Sequence, residues 1–195
     1  MPGLVRRISA GAAAVGAAAA LSILAHAQTQ GGRERFTANA VNMNVGAAGP
    51  IEIVVDRYST NAERDKLMKV MMDQGPEKLL DVLQDLPRIG YFRRPTDVGI
   101  DIHFARKIKL PEGGDRIVLV TDRRIGFWEA ANRPRSIDYP FTVIELRLNK
   151  DGEGEGKLSV ATKIIADKEN SIVTLENYDI QPVQLNGVKR EQASH

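Results

Sequence analysis

Apolar and polar residues alternate along most of this chain, and the alternation predicts β-strands. Ile51, Ile53 and Val55 fall on one face of the segment 51–58, which is the period of two of a strand with one buried side. Similar patterns occupy residues 36–45, 89–92, 98–110, 116–121, 141–148, 158–164, 172–178 and 183–188. The turns between them are short, so neighbouring strands are expected to be antiparallel.

Two of these expectations concern where strands begin and which way they face. The Gly and Pro within residues 47–50 are expected to break the chain between the first two strands. Residues 98–110 are expected to form one long strand with a single apolar face. Its predicted apolar face carries Ile100, Ile102, Phe104, Ile108 and Leu110, and its polar face carries Asp101, His103, Lys107 and Lys109.

A pair of amphipathic helices is predicted after the second strand. Thr60 and Glu63 have the spacing of a capping box at a helix start. Gly75 and Pro76 are expected to end this helix and to open the next one, with proline in its first turn. The apolar stripes are Leu67, Met68, Met71 and Met72 in the first helix, and Leu79, Leu80, Leu83 and Leu86 in the second.

Together these elements predict an α+β fold with a mainly antiparallel, strongly curved sheet of eight or nine strands packed on the helical pair. A half-barrel around the helices is preferred to a two-sheet sandwich, because the Met and Leu stripes need a concave apolar surface. One domain is expected over residues 34–191, with a flexible tail at 28–33 and a loose C-terminus at 192–195.

The N-terminal 27 residues have the pattern of a secretory signal peptide. Arg6 and Arg7 precede an uncharged, Ala-rich run over residues 8–24, and Ala25-His26-Ala27 matches a small-x-small cleavage site. Cleavage would leave Gln28 as the first residue of a protein in the periplasm or outside the cell. An uncleaved membrane anchor is the alternative, although the run is short and weakly hydrophobic for a span.

The charge of the expected mature chain is balanced. The 195 residues include 27 basic and 25 acidic side chains, and loss of Arg6 and Arg7 leaves 25 of each. A neutral chain has no overall field to attract nucleic acid, so no nucleic-acid partner is expected. The chain has no cysteine, which excludes disulfides, thiol catalysis and Cys-ligated metals.

Familiar catalytic patterns are missing from the sequence. After the leader, the histidines are His103 and His195, and no Gly-x-Ser-x-Gly motif or glycine-rich phosphate loop is present. Residues 151–155 alternate carboxylates and glycines like half of a calcium loop, but position 12 of that loop would be Thr162, so a turn is the better interpretation. No cofactor or metal is expected, and a non-enzymatic role is favoured.

The most unusual segment covers residues 123–140, which contain four arginines and the only tryptophan of the chain. Aromatic and Arg side chains are common at binding hot spots, and long irregular loops often have functions. The candidate ligand-binding residues are Arg123, Arg124, Phe127, Trp128 and Tyr139. The competing and favoured interpretation is that Phe127 and Trp128 fold back to cover one end of the core.

Three functions follow as hypotheses. The first is an exported, non-enzymatic binding or interaction module, with a protein or a small molecule as its partner. The second is a hydrolase or isomerase that uses carboxylate, Tyr or Arg side chains in a cleft, and the third is a carrier of a small apolar ligand inside the curved sheet. A filled interior with an exposed aromatic patch would favour the binding module. Polar groups with perturbed pKa values in a deep pocket would favour the enzyme, and a dry apolar cavity would favour the carrier.

Overall fold

The structure is a computed structural model that describes residues 32–167, 172–178 and 181–191. Its strands are β1 (Glu34–Asn42), β2 (Ala47–Val55), β3 (Gly90–Arg93), β4 (Ile100–Ile102), β5 (Phe104–Lys109), β6 (Asp115–Asp122), β7 (Phe141–Leu148), β8 (Glu153–Asp167), β9 (Ile172–Asn177) and β10 (Val183–Glu191). Its helices are α1 (Asn61–Gln74), α2 (Pro76–Gln84), α3 (Phe127–Asn132) and a 3₁₀ turn (Pro134–Asp138). The predicted leader and C-terminal tail lie outside the described residues.

The strands form a nearly closed antiparallel barrel, which confirms the predicted α+β class and the strongly curved sheet. The order across the sheet is β4-β3-β2-β1-β10-β8-β7-β6-β5, with β9 paired to β8 outside this path. Only His103 separates β4, which pairs with β3, from β5, which pairs with β6. One bent strand therefore connects the two ends of the sheet.

This bend corrects the expectation of a single apolar face over residues 98–110. Ile102 packs in the barrel interior, whereas Phe104, two residues on, packs against the helices on the outer side. After the bend Ile108 is 42% exposed and Lys107 is largely buried. The alternation changes phase at His103 because the strand leaves one partner and joins another there.

The break predicted at residues 47–50 is also wrong. The turn comes earlier, over residues 43–46, where Gly46 has a φ of +64°, a backbone conformation that favours glycine. Pro50 lies inside β2, opposite Asn39 of β1. A proline is tolerated there because β3 pairs with β2 only from Glu52 onwards, so Pro50 has no strand partner on its other side.

The sheet has an apolar cluster on each of its faces. Nineteen buried side chains from the strands and their connections fill the barrel interior. In β6, Ile117 and Leu119 belong to this interior, while Val118 and Val120 point the other way and pack with the helices. The helical pair therefore covers the outside of the barrel, and the concave side that was expected to hold it is occupied by strand side chains.

The helices themselves agree with the sequence pattern. Thr60 Oγ1 accepts a hydrogen bond from the Glu63 amide at 3.1 Å, and Glu63 Oε2 accepts one from the Thr60 amide at 2.7 Å, which completes the capping box. Gly75, with a φ of +91°, separates α1 from α2. Leu79 and Leu83 are buried against the sheet.

Candidate functional site

The segment between β6 and β7 is an ordered excursion from the barrel. It contains α3 and the 3₁₀ turn, where the sequence pattern indicates irregular backbone. Its ends are tied together by the Arg123 amide, which donates to the carbonyl of Pro140 at 2.7 Å. The five candidate residues named from the sequence all lie in this segment, and they have two different environments.

Arg123 is an internal tie of the segment, and only 8% of its side chain is exposed. Its guanidinium donates to the carbonyls of Tyr139 at 3.0 Å and Ser136 at 2.8 Å, and to the Glu129 carboxylate at 2.6 Å. The hydrogen bond from Arg123 lowers the pKa of Glu129 below its usual value. One cation thus satisfies acceptors from α3, from the 3₁₀ turn and from Tyr139, which follows that turn.

Tyr139 attaches the same segment to the sheet. Its hydroxyl donates to Glu176 Oε1 of β9 at 2.6 Å, and its ring lies 5.1 Å from the ring of Tyr178. The hydrogen bond to Glu176 raises the pKa of Tyr139. The side chain is buried, so Tyr139, like Arg123, supports the segment from within.

The remaining candidates face solvent. Phe127 is 91% exposed and Trp128 is 68% exposed, so the interpretation in which they fold back onto the core is wrong. Arg124, three residues before Phe127, is exposed as well. We call Arg124, Phe127 and Trp128 the aromatic platform. Phe127 and Trp128 open the short helix α3, and the contact between Arg123 and Glu129 joins that helix to the rest of the segment.

The surface around the aromatic platform is basic. Arg133 and Arg135 are exposed on the same segment, together with Asp138. The acidic Glu129 pairs with Arg123, which leaves three exposed arginines of the segment against one exposed carboxylate, that of Asp138. The segment therefore presents two aromatic rings among an excess of guanidinium groups.

A charged network inside one end of the barrel is the feature that sequence reasoning missed. The Glu34 carboxylate accepts hydrogen bonds from the Tyr58 hydroxyl and the Lys107 ammonium, both at 2.5 Å. Arg190 lies 3.8 Å from the same carboxylate and donates to Asp115 at 2.5 Å. These groups come from β1, β5, β6, β10 and the chain after β2, so only the barrel topology brings them together.

Burial and neighbouring charges act in opposite directions on the pKa of Asp115, whereas burial and the Glu34 carboxylate act in the same direction on the pKa of Tyr58. Burial alone would raise the pKa of Asp115, but hydrogen bonds from Lys109 and Arg190 outweigh it and the pKa lies below its ordinary value. Burial and the hydrogen bond to Glu34 raise the pKa of Tyr58 far above its ordinary value, so this hydroxyl stays protonated. Each charge has an opposite charge within 4 Å, which offsets the cost of removing these groups from water.

His103 makes a structural contact. Its Nδ1 lies 2.9 Å from the carbonyl oxygen of Leu86. A carbonyl only accepts, so Nδ1 carries the proton and donates it. This hydrogen bond fixes the chain after α2 to the bend between β4 and β5.

Two apolar depressions lie outside the candidate segment. The first, which we call the helix–sheet cleft, has a volume of about 260 Å³ and is lined by Arg64 and thirteen apolar side chains of α1, α2 and β5–β9. The second has a volume of about 340 Å³ at the barrel mouth, opposite the charged network, and is lined by residues that include Ile51, Phe92, Val98 and Val183.

The described ranges contain neither the residue arrangement of a metal site nor a membrane-spanning helix. No group of three or more His, Asp or Glu side chains there has the arrangement of a metal site. None of the helices in the part of the chain that the structure describes has the length and apolar character needed to cross a membrane. Comparisons with protein-family models, with curated proteins and with solved structures found no match.

Proposed function

We propose that this protein is an exported binding module that engages a protein partner through the aromatic platform. The observation that carries the proposal is the 68% exposure of Trp128, on a segment held by the buried guanidinium of Arg123. Trp and Arg are enriched at binding hot spots. The barrel interior beneath is filled by side chains, which favours an interaction module over a carrier with its ligand deep in the barrel.

Rigidity of the platform supports this function. A binding surface that must be ordered on association loses side-chain and loop entropy. The three acceptors of Arg123 and the contact of Tyr139 with Glu176 order this segment before any partner arrives. Because the backbone that carries the two aromatic rings is already held, association costs less loop entropy than it would for a mobile loop.

The surroundings of the platform define the partner's chemistry. Two exposed rings are complementary to an apolar pocket on a partner. The exposed Arg124, Arg133 and Arg135 are complementary to carboxylates around that pocket. We therefore propose a partner protein with an apolar depression and an acidic rim.

We also propose that the protein is exported, and this part of the proposal is supported by the leader pattern of residues 1–27. N-terminal sequencing of the protein recovered from the exported fraction is expected to begin at Gln28. Recovery of residues 8–24 with the mature chain in the membrane fraction would contradict cleavage and favour the anchored alternative.

The partner can be sought by photo-crosslinking from position 128. A photoreactive phenylalanine analogue replaces Trp128, and the control carries it at Ile108, which is exposed on β5. A discrete adduct with one protein is expected from position 128 and not from position 108. That protein is then purified and titrated against the unmodified chain, whose single tryptophan reports binding by a shift of its emission to shorter wavelength.

Substitution then separates binding from stability. Phe127→Ala keeps the Trp128 probe and is expected to weaken binding at least tenfold, as loss of a hot spot does, with no change in Tm. Ile108→Ala is the matched control and is expected to bind like the wild type. Equal affinity of both variants would overturn the proposal, and so would an emission shift produced by anionic phospholipid vesicles and by no protein.

A further inference from the structure

The helix–sheet cleft has a one-sided distribution of charge. The residues that line it are apolar except for Arg64, which lies in the first turn of α1. Leu67, Met68 and Met71 follow it at helical spacing, so all four lie on one face of α1. The distance along the helix from Arg64 to Met71 is about 10 Å. The cleft is thus an apolar trough with a cation at one end.

A second cation stands beside Arg64. Arg106 lies on the same face of β5 as Phe104, which lines the cleft, and donates to Asn61 Oδ1 at the start of α1 at 2.9 Å. Partial burial and the nearby charge of Arg64 lower the pKa of Arg106. Asp65 pairs with Arg64 through one carboxylate oxygen at 2.6 Å. Two guanidinium groups against one carboxylate leave this end of the cleft positive.

Apolar side chains at the rim remain in contact with water. Met68 is 36% exposed, and Val173 and Leu175 of β9 are 39% and 51% exposed. All three line the cleft, so α1 and β9 leave its apolar floor open between them. Apolar surface that stays open in this way is typical of ligand grooves.

The volume defines the size of a ligand. An apolar protein cavity of about 150 Å³ holds benzene. In proportion, the 260 Å³ of the helix–sheet cleft hold an apolar group of about ten carbon atoms. The trough beside α1, about 10 Å long, accommodates such an alkyl group when its chain is bent.

We propose that the helix–sheet cleft binds a medium-chain carboxylate, with the tail between α1 and the sheet and the carboxylate at Arg64 and Arg106. The positive charge at the Arg64 end of the cleft selects an anionic head group, and the volume between the apolar walls selects a tail of about eight to ten carbons. This site shares no residue with the aromatic platform, so it stands whether or not the platform binds a protein.

The methionines of the chain provide a direct test. Methyl-¹³C methionine spectra of the purified protein are recorded during a titration with decanoate. Met68 and Met71 line the cleft, whereas Met72 does not and Met43 lies at the turn after β1. The Met68 and Met71 methyl signals, assigned by Met→Leu substitution, are expected to shift with saturation at micromolar to low millimolar decanoate, while those of Met43 and Met72 stay in place.

Two variants test the head group and the tail separately. Arg64→Gln is expected to weaken decanoate binding at least threefold and to reduce the preference for decanoate over decanol, with Arg106 retaining the remainder. Lys66→Gln removes one charge from an exposed position of the same helix and is expected to have no effect. Val173→Phe fills the rim and is expected to weaken decanoate and decanol alike, at unchanged Tm.

Several results would overturn the proposal. One is the absence of saturable Met68 and Met71 shifts. Another is equal shifts at Met43, Met68, Met71 and Met72, which indicates detergent-like association. Shifts at Met43 alone would indicate that decanoate binds near the barrel mouth and not in the helix–sheet cleft. Decanol binding as tightly as decanoate in the wild type would remove the role of Arg64. The Trp128 emission is expected to stay constant throughout, which keeps this test independent of the aromatic platform.

Discussion

Replacement of Arg123 tests whether the candidate segment is held from within. Arg123→Ala leaves the carbonyls of Ser136 and Tyr139 and the carboxylate of Glu129 without their donor. A buried acceptor without a partner costs about 1–3 kcal/mol, and part of that cost is relieved if the segment opens to water. We therefore expect a loss of about 3 kcal/mol in the free energy of unfolding, or about 6–12 °C in Tm for a domain of this size.

The neighbouring arginine is the matched control. Arg124 is exposed, and a surface substitution of this kind changes stability by about 0.5 kcal/mol or less. Urea unfolding followed by circular dichroism gives the two free energies, and hydrogen exchange of residues 126–139 gives the local effect. Arg123→Ala is expected to accelerate exchange throughout that stretch, and Arg123→Lys to do so less, because lysine keeps the charge and loses the planar fork.

Two outcomes would refute this reasoning. If Arg123→Ala and Arg124→Ala unfold at the same urea concentration, the three hydrogen bonds of Arg123 do not stabilise the fold. If stability falls while exchange in residues 126–139 stays at its wild-type rate, the segment is ordered by other contacts. In that case the rigidity invoked for the aromatic platform would need another source.

Three further changes test other parts of the structure. Leu83→Ala is expected to lower the free energy of unfolding by about 2–4 kcal/mol in urea titrations, because this side chain is 2% exposed between α2 and the sheet, and an unchanged midpoint would show that the helices stand apart. The hydrogen bonds from Arg57 lower the pKa of Glu63 from 4.5 to about 2. Glu63→Gln is therefore expected to lower the free energy of unfolding by about 1–2 kcal/mol above pH 5, after allowance for partial exposure. This loss should disappear as the pH falls from about 4.5 to 2, and a loss independent of pH would contradict the pairing. Asp115→Asn removes the carboxylate that pairs with Arg190 at 2.5 Å and leaves Arg190 with Glu34 at 3.8 Å. It is expected to cost about 1–3 kcal/mol, measured by thermal unfolding, whereas an unchanged Tm would show that this ion pair contributes nothing.

Local patterns predicted α1 and α2 well, whereas the short helix α3 was expected as irregular backbone. Thr60 acts with Glu63 three residues on, and Gly75 acts with the adjacent Pro76, so in each pair the spacing in sequence is the spacing in space. The curved antiparallel sheet was predictable for the same reason, since alternation and short turns are local. The bend at His103 was not, because a strand that exchanges one partner for another leaves both halves with an alternating pattern, and nothing in either half reports the change of phase.

Contacts between distant residues could not be predicted. Asp115 and Arg190 are 75 positions apart, and the acidic and basic residues of the chain offer many equally plausible pairs. The exposure of Trp128 was missed for a related reason. Its neighbours Ile125 and Phe127 are apolar, which favours burial, but the direction of α3 is decided by the internal hydrogen bonds of Arg123.

The position of β1 has a consequence for how the chain reaches its native state. β1 lies between β2 and β10, so the first strand completes its pairing only with the last, through registers such as Arg35 opposite Glu191. Such a fold has a high contact order and is expected to form slowly, over milliseconds to seconds. A chain still lacking residues 183–191 would expose the edges of β1 and β8, which promotes aggregation. The barrel therefore cannot close before its final strand is available, and a nascent chain that remains open until then is suited to the export proposed for it.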